Sequence, residues 1–294
     1  MPKALVIRAA GTNCDTEMVR AFVLAGASCE TAHLDRVIAE PAMLERFDLL
    51  GFPGGFSYGD DVASGRVFAM RLRERLYGPL RRAVERGACV IGACNGFQIL
   101  VQVGLLPGGG KGDAAPEPVV ALTDNIGNRF IDRWLRVEVV ASSVCVWTRG
   151  LAERWSGDGE GSSSDRRRVD GDHGPHRLEA GATNAGATNA AMTLPIAHGE
   201  GRFVATSPAV IEALEAGGQV ALRYIDNDNG STNRIAGICD PTGRVFGLMP
   251  HPERYLSWGH HPFATALPDD VKRGDTPGLM MFKNAVEAVT HARA

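Results

Sequence analysis

The 294-residue chain lacks a long apolar run, an excess of charge of either sign and any pairing pattern among its cysteines. No stretch approaches the ~20 apolar residues of a bilayer span, so a membrane-embedded protein is not expected. A net charge of -3, from 31 Lys and Arg against 34 Asp and Glu, offers no basic surplus for nucleic acid or an acidic membrane surface. The six cysteines, Cys14, Cys29, Cys89, Cys94, Cys145 and Cys239, are scattered, with no CxxC and no Cys/His ligand spacing. Neither a disulfide framework nor a metal centre is expected, and all but Cys94 read as reduced core thiols. The opening MPKALVIRAAG runs straight into a strand-like segment without the ordered regions of a secretory signal, so a cytoplasmic protein is expected. What is present is a 44% hydrophobic fraction, enough for a sizeable core.

The first half alternates strand and helix signals. Lys3–Ala10 is a short buried-strand run, and a Gly-Thr-Asn loop leads to a helix from Asp15 with apolar Met18, Phe22 and Ala25, stopping at Gly26. SCETAHL and FDLLGF read as the second and third strands, the latter entering the turn PGGFSYGD. Val62–Gly87 is amphipathic and arginine-rich, and a break is expected at Gly78-Pro79. ACVIGA is a fourth strand and NGFQILVQVG a helix. This alternation implies an α/β fold, a doubly wound, mostly parallel sheet flanked by helices, with ligands beyond the carboxyl ends of the strands.

The second half is strand-rich, with candidates at Trp134–Val140, Phe203–Thr206, Gln219–Ile225, Ile235–Cys239 and Arg244–Met249, the last two joined by Pro241-Thr242-Gly243. A helix is expected near Ala209–Ala216 and another from Pro277 to about Ala292, capped by Thr276. Residues 153–191 differ in kind. They include SGDGEGSSSDRRRVDGDHGPH and a tandem GATNAGATNA, a composition that buries little apolar surface, so a disordered surface insertion is expected within a single domain spanning 1–294. His173, His176 and Arg166–Arg168 inside it read as solvated polar residues.

Cys94 is the exception among the thiols. It ends the apolar run VIGAC and opens a helix, with Gly92 and Gly96 on either side, the pattern of a nucleophile held on a strand-to-helix elbow. Such a thiol needs a base and a group to hold that base. Of eight histidines, His251 in GLMPHPER stands at the end of an apolar strand, with Pro252 restricting the backbone. Glu253 lies two residues on, and in an extended chain residues i and i+2 share a face roughly 6.5–7 Å apart, so the carboxylate reaches back to the imidazole. Oxyanion donors are expected from the backbone N–H of Asn95 and from Gly54-Gly55. Two nucleotide motifs fail: GLLPGGGKG has Leu105 where a phosphate loop needs glycine and Gly112 where it needs Ser or Thr, and GGFSYG is not GxGxxG.

GACNGFQ, FPGGFSYGD and MPHPER together resemble the class I, or triad, glutamine amidotransferases of flavodoxin-like fold. Cys94-Asn95-Gly96-Phe97-Gln98, GTNCD (Gly11–Asp15), PIAHGEGRF (Pro195–Phe203) and NDNGS (Asn227–Ser231) narrow the resemblance to the glutaminase subunits of phosphoribosylformylglycinamidine synthase. It runs through nearly the whole chain outside 153–191, with Asp228 in place of the family's usual proline. The resemblance implies that Cys94 attacks the carboxamide of L-glutamine to form a γ-glutamyl thioester, that His251 moves the protons and that Glu253 holds it. It implies that Gln98 contacts the bound glutamine and that the HGEGRF loop lies near a partner-facing or gating surface. It further implies a large ATP-dependent synthetase partner, with a small third subunit, and no cofactor on this chain, ATP and magnesium being bound by the synthetase. Service to a synthetase making GMP, carbamoyl phosphate or pyridoxal phosphate remains an alternative, as does a stand-alone cysteine hydrolase or a non-catalytic binding module.

Overall fold

A computed structural model describes residues 1–110, 112, 114–155 and 192–292. Four short runs that are buried along most of their length, β1 (Lys3–Arg8), β3 (Leu49–Phe52), β4 (Cys89–Ala93) and β11 (Val245–Leu248), form the middle of one sheet. They lie in the order β2-β1-β3-β4-β11 and pair in parallel, with β2 at Ser28–His33. The sheet continues through β10 (Ile235–Cys239), β9 (Val220–Tyr224), β6 (Ile131–Val139) and β7 (Thr193–His198), each antiparallel to its neighbour. A separate antiparallel pair joins β5 (Val120–Thr123) to β8 (Arg202–Ala205).

Alternate residues of the central strands feed two cores, so both faces must be covered by helices. Leu5, Ile7, Leu50, Phe52 and Val90 face one side, with α2 (Leu34–Ala39), α3 (Arg66–Arg75), α4 (Tyr77–Glu85), α5 (Asn95–Val103) and α7 (Pro208–Ala216). Ala4, Val6, Leu49, Ile91 and Phe246 face the other, with α1 (Asp15–Leu24), α6 (Leu151–Trp155) and α8 (Pro277–His291). This is the doubly wound arrangement expected. The hairpin of β10 and β11 and the Thr276 cap, whose Oγ1 accepts from Leu279 N at 3.3 Å, also match expectation.

Three local expectations differ. The helix break after α3 falls at Leu76, and Gly78 and Pro79 lie in the first turn of α4, where a proline forfeits no intrahelical bond. The segment expected as an insertion begins inside α6, where Leu151, Ala152 and Trp155 are buried; its remainder, with His173, His176 and Arg166–Arg168, lies outside the described residues. Strands β5 and β7 and helix α2 were not expected at all. Among the described residues no helix is long and apolar enough to cross a membrane.

Candidate active site

The carboxyl ends of β1, β3, β4 and β11 share one edge of the sheet, and each delivers part of one site. At the end of β4, Cys94 adopts φ 52° and ψ -110°, a strained conformation for a residue with a side chain. The elbow is held from both sides. Cys94 N donates to Leu248 O at 2.8 Å, and its carbonyl accepts from Phe97 N and Gln98 N as α5 begins. A Cβ on Gly96 would overlap the carbonyl oxygen of Phe52, so only glycine lets α5 approach β3 this closely. The thiol is 6% exposed, 3.7 Å from the carbonyl oxygen of Ala197 on β7.

His251 and Glu253 follow β11, the parallel neighbour of β4, in which Leu248 pairs with Ala93. Both residues are 1% exposed, and His251 Nδ1–H donates to Glu253 Oε1 at 2.6 Å. Because an ionised carboxylate only accepts, this bond places a proton on Nδ1 and leaves Nε2 as the nitrogen that can exchange one. Nε2 makes no hydrogen bond to the described residues. The expected extended geometry is replaced by a tight turn, Pro252–Arg254, that folds the carboxylate back onto the ring. His251 N is tied to Pro195 O at 2.8 Å, so β7 returns over the site. Burial favours the neutral imidazole, but the Glu253 carboxylate, then Cys94 and Cys14, outweigh it and hold His251 well above the ordinary histidine range.

Gly54 and Gly55 form the wall beyond β3. A Cβ on Gly54 would lie 2.6 Å from Cε1 of His251, while Gly55 has φ +137° and bridges to Thr12 in the loop after β1. Asn95 and Gln98 lie in the first turn of α5, next to the thiol, and their side chains are engaged within the protein. Ser57 Oγ donates to Asn95 Oδ1 at 2.7 Å, Asn95 Nδ2 to Gln98 Oε1 at 3.0 Å, and Gln98 Nε2 to the carbonyl oxygen of Glu200 at 2.5 Å. One run of hydrogen bonds therefore joins the turn after β3, the start of α5 and the loop between β7 and β8. That loop, expected near a partner-facing or gating surface, is tied to α5 through Gln98 and Glu200. His198 is 3% exposed, its Nδ1 3.1 Å from Asn125 Oδ1, and burial, with nearby His251 adding, pulls it down to about 4.

The structure thus brings together Cys94, His251, Glu253, Gly54, Gly55, Asn95 and Gln98 from chain positions up to two hundred residues apart. Sequence reasoning placed Cys14 in the core, yet its sulfur lies beside His251 and accepts from Arg254 Nη2–H at 3.0 Å. Its position in GTNCD, at the carboxyl end of β1, was the available signal. Asp228, the one departure noted, pairs with Arg133 at 2.8 Å.

Residues 1–166 and 182–289 match the model of a family described as the CobB/CobQ-like glutamine amidotransferase domain. The chain is 37% identical over 292 residues to phosphoribosylformylglycinamidine synthase subunit PurQ of Dehalococcoides mccartyi, covering 97% of this chain and 96% of that protein. It is 35% identical over 308 residues to the subunit of the same name from Methanococcus maripaludis, covering 98% and 97%. Among solved structures it is similar to a chain of PurLQS from Thermotoga maritima, with TM-score 0.61, 28% identity and coverage of 97% and 98%.

Proposed function

We propose how this site works from one premise: the chain belongs to the CobB/CobQ-like glutamine amidotransferase family, in the branch whose members are named phosphoribosylformylglycinamidine synthase subunit PurQ. It is the glutamine-hydrolysing subunit of that synthase, the amidation step of purine biosynthesis. The branch favours this synthetase over those making GMP, carbamoyl phosphate or pyridoxal phosphate.

Cys94 is the nucleophile, His251 the base and Glu253 the group that orients it. Nε2 of His251 holds the proton drawn from the thiol, and the thiolate sulfur attacks the glutamine carboxamide carbon as the carbonyl electron pair moves onto oxygen. The N–H of Asn95 and a glycine N–H at Gly54-Gly55 receive that oxyanion. On collapse the C–N bond breaks, Nε2 returns its proton to the departing nitrogen, and ammonia leaves a thioester behind. Water then gives a proton to Nε2 and attacks the thioester carbon, releasing glutamate and restoring the thiol. Gln98, engaged by Asn95 and Glu200, orients the loop against which glutamine binds.

The observation that carries this reading is the 2.6 Å contact of Glu253 with Nδ1, which leaves Nε2 as the working nitrogen just beyond the strand next to that of a strained cysteine. None of these steps calls for a cofactor. In this reading ATP and magnesium are bound by a large synthetase partner that works with this chain and a small third subunit in the cytoplasm, and the similarity to a chain of the PurLQS complex supports the assembly. The whole chain, 1–294, acts as one amidotransferase unit. Incubation with a glutamine-analogue diazo-ketone, followed by mass spectrometry, tests the reading. Modification at Cys94 that glutamine prevents is expected; modification elsewhere, or none, would overturn it.

A further inference from the structure

Cys14 takes part in none of these steps, yet its sulfur is buried against the base. It closes the loop between β1 and α1, where the N–H groups of Asn13 and Cys14 both donate to Gly54 O, at 3.4 and 3.2 Å. An ideal Cβ on Gly54 would lie 3.3 Å from both the Cys14 sulfur and Nδ1 of His251, so thiol and imidazole edge flank the same glycine. The sulfur is pinned from two further directions: its S–H donates to Asn13 Oδ1 at 3.3 Å, and it accepts from Arg254 Nη2–H at 3.0 Å. Arg254 follows Glu253 on the same tight turn.

We propose that Cys14 and Arg254 form a positioning pair that fixes the Nδ1 edge of His251, so that Nε2 stays aimed at Cys94. A ring held by one carboxylate oxygen can still pivot about that bond. A sulfur that is itself held by a guanidinium and an amide removes the pivot, and small misalignments of a base are costly in rate. The sulfur also favours the imidazolium formed when the thiol ionises. The charged and titratable groups facing His251 are Glu253 on its own turn, Cys94 from the elbow, Cys14 from the loop after β1 and His198 from β7, with Arg254 acting through Cys14. Donor atoms of Cys14, His251 and Glu253 lie within 4.8 Å of one another, an arrangement that could hold a soft cation. The guanidinium on the sulfur and the engaged Nδ1 oppose that use and favour positioning.

This inference rests on His251 being the base for Cys94, so the test separates the two. The chain is assembled with its synthetase partners, and glutamine-dependent and ammonia-dependent product formation are both measured, the latter bypassing this site. Cys94→Ala is expected to abolish only the glutamine-dependent reaction; its survival would overturn the reading of the site. Cys14→Ala is expected to lower glutamine-dependent kcat about tenfold, with KM changed less than about twofold and the alkaline limb of the kcat profile moved to lower pH. Cys14→Ser, which keeps both hydrogen bonds, is expected to rescue most of the rate. Arg254→Met is expected to mimic Cys14→Ala, and the double variant to be no worse than either single one. A parent-like pH profile in Cys14→Ala, a Cys14→Ser variant as impaired as the alanine, or additive losses in the double variant would each overturn the pair. If Cys14→Ala does not assemble, Cys14→Ser and Arg254→Met still decide.

Discussion

Ser57, on the turn after β3, donates a 2.7 Å hydrogen bond to Asn95 in the first turn of α5, and both side chains are buried. Through Gln98 the same run reaches the loop between β7 and β8, so the floor and one wall of the site form a single polar unit. Ser57→Ala leaves the Asn95 acceptor buried without its donor, at a cost of about 1–3 kcal/mol. The expected outcome is a lower unfolding midpoint in urea and a raised KM for glutamine, with ammonia-dependent synthesis by the complex unchanged. An unaltered KM would show that the network does not shape the glutamine site.

Glu253→Gln preserves the shape of the side chain but removes the carboxylate that fixes the imidazole proton on Nδ1. The amide can present its N–H₂ to Nδ1 and stabilise the opposite tautomer, with a proton on Nε2 where a lone pair is required. Glutamine-dependent kcat is expected to fall by about 10²-fold or more, with a smaller change in KM. Steady-state kinetics at saturating glutamine checks this.

Gly54→Ala separates activity from stability. The φ of Gly54 is one that alanine tolerates, but its Cβ would lie 2.6 Å from Cε1 of His251, so the ring must move. A loss of glutamine turnover of about 10²-fold is expected from a displacement of about 1 Å. Thermal melting and assembly with the synthetase should change little. Parent-like turnover would place the imidazole elsewhere during catalysis.

His198 should make the fold acid-sensitive. Its pKa falls from an unfolded value near 6.5 to about 4 in the folded chain, so the unfolded state binds the extra proton between those values. Stability therefore rises with pH through that window and is lost as pH falls from about 6.5 towards 4. A His198→Gln variant should lack this component, so the parent should lose about 2 kcal/mol more than the variant between pH 7.5 and pH 5. His251 is shifted the opposite way: its contribution is present below the unfolded value and is lost only as pH rises through its raised folded value. Urea titrations of both proteins at the two pH values isolate the His198 share.

The parts of the fold legible in the sequence were those whose pattern arises locally. β1, β3 and β4 are short apolar runs because the central strands of a parallel sheet are covered on both faces, and the elbow was legible because only a glycine at position 96 lets α5 meet Phe52. β7 was missed because Pro195 interrupts it and a low-complexity segment precedes it. The strand tolerates Pro195 because it is the last in the sheet order, where a missing N–H is harmless. The His-Pro-Glu geometry was expected from an extended chain, whereas Pro252 starts a turn that shortens the reach to hydrogen-bond distance. Cys14 looked like an ordinary buried thiol because the residue that distinguishes it, Arg254, lies 240 positions away.

The pairing of Ala93 with Leu248 has a consequence for how such chains can diversify. Cys94 follows Ala93 by one residue and His251 follows Leu248 by three, so the register of two adjacent parallel strands, about 4.8 Å apart, sets where the two side chains meet, rather than the chain that connects them. Duplications and deletions in the intervening loops can change the length of that connection freely. A slip of one rung between the two strands would instead displace one side chain relative to the other by about 3.3 Å and turn the elbow towards the opposite face. Selection on this chemistry should therefore tolerate variation in length and resist variation in register.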